Sequence, residues 1–122
     1  MKDYTVLVVE DNAVNRKITV DLLQVHGYKS IVAEDGYAGL EMAQSRAPDL
    51  ILMDVQLPSI DGYEITRRLK AEDATKHIPI VIITSFAMKG EEKLAIQAGA
   101  SAYLSKPIDI HQLIETVKSY LP

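Results

Sequence analysis

The chain contains no cysteine, which excludes a disulfide framework and a thiolate metal site. Its apolar runs are all far shorter than the roughly 20 residues that a membrane-spanning helix needs. It has no run of lysine or arginine, and its net charge is −4, so we expect binding neither to nucleic acid nor to a membrane. No signal peptide precedes the first strand-like run, and a cytoplasmic location is therefore expected.

The composition is that of an ordinary globular domain, with 122 residues, 48% of them hydrophobic and 25% charged. Repeats, low-complexity tracts and linkers are absent from the sequence. The last helical pattern ends where the chain stops, and we therefore expect no second domain. We expect one domain that spans residues 1–122.

Short apolar runs of the length and composition of buried strands occur five times. The run that organises the rest is Leu-Ile-Leu-Met at 50–53, which leads directly into Asp54. The other four cover 5–9, 30–33, 80–83 and 102–104. Because helical patterns alternate with these runs, the sequence predicts an α/β fold with a parallel sheet, right-handed crossovers and helices on both faces.

The helices are marked by capping residues and by apolar residues at helical spacing. The predicted helix starts carry Asp11 or Asn12, Asp35, Asp61 with Glu64, and Asp109 with Gln112. In the first helix the predicted inner stripe is Val14, Ile18, Leu22 and Val25; in the last it is Ile110, Leu113, Ile114, Val117 and Leu121. A helix over 88–98 is weakened by Gly90 near its start, and Gly39 in the second helix predicts close packing.

Polar groups follow the predicted strands where each strand ends. Glu10 and Asp11 follow the first, Asp54 the third, Thr84 the fourth and Lys106 the fifth. The carboxyl ends of parallel strands meet at one edge of a sheet, so these groups should gather there. Crowded carboxylates favour a bound cation, and oxygen ligands suit Mg²⁺. The set predicts transfer of a phosphoryl group to Asp54, with Lys106 and Thr84 holding its oxygens.

Each of these residues has a plainer interpretation when taken alone. Glu10 and Asp11 fit a polar loop with a helix cap, and Asp54 fits a solvated turn residue. Thr84 fits an ordinary strand residue, and Lys106 fits a surface lysine. Their joint occurrence at four strand ends is what favours the site.

Six motifs match one known family along the whole chain. They are Val8-Val9-Glu10-Asp11-Asn12, Leu52-Met53-Asp54, Leu57-Pro58 with Gly62, Ile83-Thr84, Ala98-Gly99-Ala100 and Tyr103-Leu104-Ser105-Lys106-Pro107. The sequence resembles the receiver domain of two-component response regulators, the CheY-like family. Residues 77–91 are similar to single-domain receivers of the DivK type.

The resemblance implies a flavodoxin-like (βα)5 doubly wound sandwich with strand order 2-1-3-4-5 and no output domain. Asp54 would accept a phosphoryl group from the phosphohistidine of a histidine kinase or a histidine phosphotransfer protein. Mg²⁺ would be held by Glu10, Asp11, Asp54 and the backbone carbonyl of Gln56. The chain would be no enzyme beyond self-phosphorylation and autodephosphorylation of this one aspartate.

A switch is also implied by the resemblance. Thr84 would move toward the phosphoryl group, Tyr103 would rotate inward with it, and the Lys106–Pro107 peptide bond would be cis. The surface of the fourth helix, fifth strand and fifth helix would then change its affinity for a downstream protein target. We expect a monomer or a weak dimer.

Some positions bear on the rate of reaction and on docking. Ser85 stands where the family usually has alanine or glycine, and a hydroxyl there is expected to slow access to the site. Gln56 and Phe86 occupy positions that influence phosphoaspartate hydrolysis in the family. On the first helix, the sequence predicts that Asn15, Arg16 and Thr19 help to dock a kinase or a phosphotransfer helix; an ordinary solvated face is the alternative.

The sequence leaves open whether the chain acts directly on a target or passes its phosphoryl group on as a relay shuttle. Other functions fit the sequence less well. An aspartate-nucleophile phosphohydrolase would place a second acid where Gln56 stands. A flavin carrier needs a neutral phosphate loop where Glu10 and Asp11 stand, and a purely structural interaction domain has no need of the intact set.

Overall fold

The computed structural model describes residues 3–85 and 90–122, and strands alternate with helices throughout them. The strands are β1 (Thr5–Val9), β2 (Lys29–Ala33), β3 (Leu50–Asp54), β4 (Ile80–Thr84) and β5 (Ala102–Ser105). The helices are α1 (Ala13–Val25), α2 (Gly36–Arg46), α3 (Gly62–Ala71), α4 (Glu91–Ala98) and α5 (Ile110–Tyr120). The predicted α/β alternation is confirmed.

The strands form one parallel sheet in the order β2-β1-β3-β4-β5, as the resemblance implied. Every residue of β3 and β4 is buried, which explains why these strands are apolar without alternation. Alternate residues of β3 pack into two hydrophobic cores, one on each face of the sheet. Ile51 and Met53 pack with α2, α3 and α4, whereas Leu50 and Leu52 pack with α1 and α5. The sheet is therefore covered on both faces, and the doubly wound fold is confirmed.

Side-chain caps begin four of the helices where the sequence predicted them. The carboxylate or amide oxygens of Asn12, Asp35, Asp61 and Asp109 accept hydrogen bonds from backbone N–H groups three residues further on, at 2.8–3.1 Å. The remaining helix differs from the prediction. Gly90, with φ of 104°, is the N-cap of α4, so this helix begins at Glu91 instead of enclosing the glycine. Residues 88 and 89 of the predicted helix lie outside the described part of the chain.

The inner face predicted for α1 is only partly correct, since Leu22 packs against the core but the ends of the predicted stripe do not. Val14 and Val25 are 68% and 80% exposed, whereas Thr19 and Leu23 are buried. Both sets have helical spacing, and the angle at which the helix leaves β1 decides which of them meets the sheet. Ile110 in α5 is likewise 52% exposed, while the rest of its predicted stripe is buried.

Gly39 allows α2 to lie close to β1. A Cβ atom at this position would stand 2.9 Å from Cγ2 of Val9, which is too short for two carbon atoms. The close packing predicted for this glycine is confirmed. Within residues 3–85 and 90–122, no helix is long and apolar enough to cross a membrane.

Candidate functional site

The carboxyl edge of the sheet brings together the groups that the sequence placed at strand ends. Glu10 directly follows β1, Asp54 closes β3 and Thr84 closes β4. Glu10 and Asp54 are each 5% exposed, and Thr84 is fully buried. In the sheet register Asp54 lies beside Ile83, so Thr84 stands one residue further along the neighbouring strand.

Lys106, just after β5, reaches across this edge and bridges two carboxylates. Its ammonium nitrogen lies 2.8 Å from Oε1 of Glu10 and 3.1 Å from Oδ2 of Asp54. Burial alone lowers the pKa of this ammonium, but the bond to Glu10 and the charges of both carboxylates outweigh it and raise the pKa. Lys106 therefore stays charged at neutral pH, and its charge is directed at Asp54.

The Glu10 carboxyl shows how crowded with negative charge the site is. Burial and its hydrogen bond with Asp54 raise the pKa of Glu10 more than Lys106 lowers it. The carboxylate oxygens of Glu10, Asp11 and Asp54 come within 4.8 Å of one another. With all three ionised, Lys106 offsets one charge and two remain. An oxygen donor set with this balance fits a hard divalent cation such as Mg²⁺.

Backbone groups fix the orientation of the two buried carboxylates. Oε2 of Glu10 accepts a hydrogen bond from the N–H of Asn12 at 3.3 Å, and Oδ1 of Asp54 accepts one from the N–H of Gln56 at 3.3 Å. Gly62, the first residue of α3, packs on the backbone of Asp54, where a Cβ would lie 2.1 Å from the carbonyl oxygen. The site is thus held by the loops after β1 and β3 and by the start of α3.

A further bond joins two loops beside the aspartate. The Ser85 hydroxyl, directly after β4, donates a hydrogen bond of 2.8 Å to Oε1 of Gln56 in the loop after β3. Both side chains are exposed. No local pattern in the sequence signals this contact, because it joins residues 29 positions apart.

The three residues expected to dock a partner differ in their surroundings. Thr19 is 3% exposed and donates its hydroxyl to the carbonyl of Asn15, so it cannot touch a docked helix directly. The Arg16 side chain is 17% exposed and is turned back toward the loop after β1. Asn15 is half-buried and lines a groove between α1 and α5, together with Ile18.

The expected switch residues, Thr84 and Tyr103, lie on β4 and β5, across β3 from the loop after β1. Tyr103 in β5 is half-buried against the core beneath α2, α3 and α4. Burial, followed by the charges of Glu91 and Glu92, raises the pKa of its hydroxyl. The Lys106–Pro107 peptide bond is cis. Phe86, which the sequence linked to phosphoaspartate hydrolysis, lies outside the described residues.

A five-stranded parallel sheet with an aspartate, two further acids and a lysine at its carboxyl edge defines a receiver-type protein. Residues 6–118 match the response regulator receiver domain family. The chain belongs to that family, so it is a response regulator receiver of two-component signalling.

Named relatives and solved structures agree with this assignment. The chain is 48% identical over 117 residues to the polar-differentiation response regulator DivK of Brucella anthropi, covering 96% of this chain and 95% of that protein. A putative response regulator from Chloroflexus aurantiacus has a TM-score of 0.93 at 32% identity, with 98% of each chain covered. The receiver domain of the sensor histidine kinase PA1611 from Pseudomonas aeruginosa has a TM-score of 0.90 at 32% identity, also with 98% of each chain covered, and carries a magnesium ion in its active-site cleft.

Proposed function

We propose that this chain is a phosphorylation switch in which Asp54 accepts a phosphoryl group from a partner's phosphohistidine in a Mg²⁺-dependent reaction. The observation that carries the proposal is the placement of Asp54 in contact with Lys106 and in one cluster with the carboxylates of Glu10 and Asp11. When a buried carboxylate is phosphorylated beside a fixed ammonium, the positive charge of the ammonium can pair with the negative charge of the phosphoryl group.

In the proposed reaction an oxygen of Asp54 attacks phosphorus, an O–P bond forms and the N–P bond of the phosphohistidine breaks. The imidazole nitrogen keeps the electron pair of the broken bond. Lys106 is already 3.1 Å from Asp54 and would pair with a phosphoryl oxygen, as would the hydroxyl of Thr84. Mg²⁺ would be held by the carboxylates of Glu10, Asp11 and Asp54 and the backbone carbonyl of Gln56, and when bound would offset the negative charge.

The output that we propose is a change in protein binding, with Thr84 and Tyr103 as switch residues and the surface of α4, β5 and α5 as the region that responds. The chain would act as a receiver in the cytoplasm, as a monomer or weak dimer. Passing the phosphoryl group on to a phosphotransfer protein is the second form of the same proposal. Neither form makes the chain an enzyme acting on a separate substrate.

The groove between α1 and α5 supports a docking place for the phosphodonor. Its polar lining residues are Asn15, Ser85 and Lys106, and Lys106 contacts Asp54. The other lining residues are apolar: Ile18, Leu22, Pro107, Ile108, Ile110 and Leu113. Ile18 and Ile110 are about half exposed, at 48% and 52%. An amphipathic helix that carries the phosphohistidine would bury these side chains and bring its phosphoryl group to Asp54.

Incubation with acetyl phosphate and Mg²⁺ tests the proposal directly. Intact mass spectrometry should show a gain of one phosphoryl group, and peptide mapping should locate it at Asp54. Excess EDTA should prevent the gain, because the carboxylates would then lack the cation that offsets their charge. Absence of labelling with acetyl phosphate and also with phosphorylated kinase or phosphotransfer proteins would overturn the proposal.

The Ser85–Gln56 bond predicts a faster reaction when it is removed. In Ser85→Ala the two loops are no longer joined beside Asp54, and a hydrogen bond of this kind contributes about 1 kcal/mol. We expect labelling by acetyl phosphate to accelerate by about fivefold, measured as the initial rate of mass gain. Ser45→Ala, on the exposed side of α2, is the matched control. A rate in Ser85→Ala equal to that of the control would show that the bond does not limit access.

A further inference from the structure

Arg16 of α1 contacts the acidic loop through main-chain oxygens. Its Nη1 donates to the carbonyl oxygen of Glu10 at 2.9 Å and to that of Asp11 at 3.5 Å. Its Nη2 donates to Oε1 of Glu34 at 3.2 Å. One guanidinium thus joins the loop after β1 to the loop after β2. The side chain of Arg16 is only 17% exposed, so the guanidinium is largely covered.

These hydrogen bonds restrict the directions in which the carboxylates of Glu10 and Asp11, two candidate cation ligands, can point. The carbonyls of Glu10 and Asp11 belong to successive peptide units, and fixing them fixes the bonds from which both carboxylates project. The carboxylates repel one another and Asp54, so a loop without such support would spread. The positive charge bonds to carbonyls and to Glu34, which leaves the cluster's negative charge available to a cation.

The sheet register explains why one side chain can reach both loops. Val9 pairs with Ala33, so Glu10 and Glu34 leave neighbouring strands at the same level. The N–H of Glu10 also donates to the carbonyl of Ala33 at 3.0 Å, which keeps the two strand ends together. Arginine suits this position because its planar fork presents several donors in fixed directions, whereas lysine offers a single point of charge.

We infer that Arg16 is a positioning residue that pre-organises the Glu10–Asp11 loop for a divalent cation. The inference rests on the proposed function, because the cation is the one that phosphoryl transfer to Asp54 needs. It adds a residue that touches neither the phosphoryl group nor the cation and acts through the backbone of two ligands. Partners of metal ligands commonly change affinity by 10- to 100-fold when they are removed.

The test measures Mg²⁺ binding by wild type, Arg16→Gln and Arg16→Lys. Binding is monitored by NMR titration, through the amide signals of residues 10–12 and 54. We expect both variants to bind Mg²⁺ about tenfold more weakly, the lysine variant included, because neither restores the fork. Glu34→Gln is the control. This substitution removes the negative charge that pairs with the guanidinium of Arg16, but it leaves the bonds from Arg16 to the loop after β1. Because the Glu34 side chain is 74% exposed, Mg²⁺ affinity should stay close to the wild-type value.

Two simpler roles of Arg16 give different results. If the arginine acted only through its charge, Arg16→Gln would bind Mg²⁺ more tightly and Arg16→Lys would equal wild type, and the inference would be overturned. If it only stabilised the fold, both variants would unfold at lower temperature by the same amount in Mg²⁺ and in EDTA, with unchanged affinity, and the inference would again be overturned. A loss of the stabilisation that Mg²⁺ confers supports it.

Failure of the proposed function has a different signature. It would appear as wild-type protein that neither binds Mg²⁺ at residues 10–12 and 54 nor accepts a phosphoryl group. Wild-type protein that does both, beside Arg16 variants with unchanged Mg²⁺ affinity, would overturn the positioning role alone.

Discussion

Asp54→Asn should abolish phosphoryl labelling while leaving the protein folded. The amide has no carboxylate oxygen with which to form the acyl phosphate, so the expected mass gain is zero under conditions that label wild type fully. We expect the free energy of unfolding in EDTA to stay within about 1 kcal/mol of the wild-type value. Lys106 keeps its bond to Glu10, and one repulsion between like charges is removed.

The measurement pairs intact mass with urea denaturation of the same samples. Asp73→Asn is the matched control, since Asp73 is exposed and lies in the α3–β4 connection, where it pairs with Lys76. It should label like wild type. Labelling of Asp54→Asn at a wild-type rate would mean that another residue accepts the phosphoryl group, and the roles assigned to Lys106 and Thr84 would fall with it.

Gly62→Ala should produce the largest loss of stability among single-methyl substitutions that we foresee. The added Cβ would lie 2.1 Å from the carbonyl oxygen of Asp54 and 3.0 Å from Cγ of Met53, so backbone must move to admit it. We expect unfolding free energy to fall by about 3 kcal/mol or more, since overpacking against backbone is harder to relieve than overpacking against a side chain. Phosphoryl labelling should fall as well, because the displaced backbone carries Asp54.

Gly27→Ala is the control that separates the steric clash at Gly62 from the cost of placing alanine at a positive φ. Gly27 has φ of 85° and no atom within 4 Å of an added Cβ, so its cost comes from conformation alone, at about 1 kcal/mol. Denaturation curves of the two variants should therefore differ by about 2 kcal/mol, and Gly27→Ala should label normally. Equal losses would show that α3 moves away from β3 without strain.

The residues of the candidate site and the fold were visible in the sequence for a common reason. Buried parallel strands are continuous apolar runs, so the run before Asp54 identified a central strand and its edge. Capping residues such as Asp61 marked helix starts, because their side chains bond the nearest backbone N–H groups. Such signals depend on neighbours within a few positions along the chain.

Contacts between distant loops and the facing of helices were not visible in this way. Val14 and Val25 of α1 have helical spacing, yet they face solvent, since the orientation of the helix is set by its packing on the sheet. Gly90 was predicted inside a helix that begins after it, because a glycine within an apolar pattern does not reveal that its φ is positive, here 104°.

The sequence by itself determined the order of strands and helices and the set of acidic, hydroxyl and lysine groups that a phosphoryl-transfer site needs. Tertiary structure decided how they are held. In the folded chain Arg16, which the sequence placed at a docking surface, donates hydrogen bonds to the carbonyls of Glu10 and Asp11. The hydroxyl of Ser85 donates one to the side chain of Gln56. The physical reason is that local patterns record bonds between near neighbours along the chain. The Ser85–Gln56 bond spans 29 positions and exists only once β3 and β4 lie side by side, and the Arg16–Glu34 bond needs β1 beside β2. The bonds from Arg16 to the carbonyls of Glu10 and Asp11 join residues that are near in sequence, but the direction of this side chain is set by how α1 packs on the sheet.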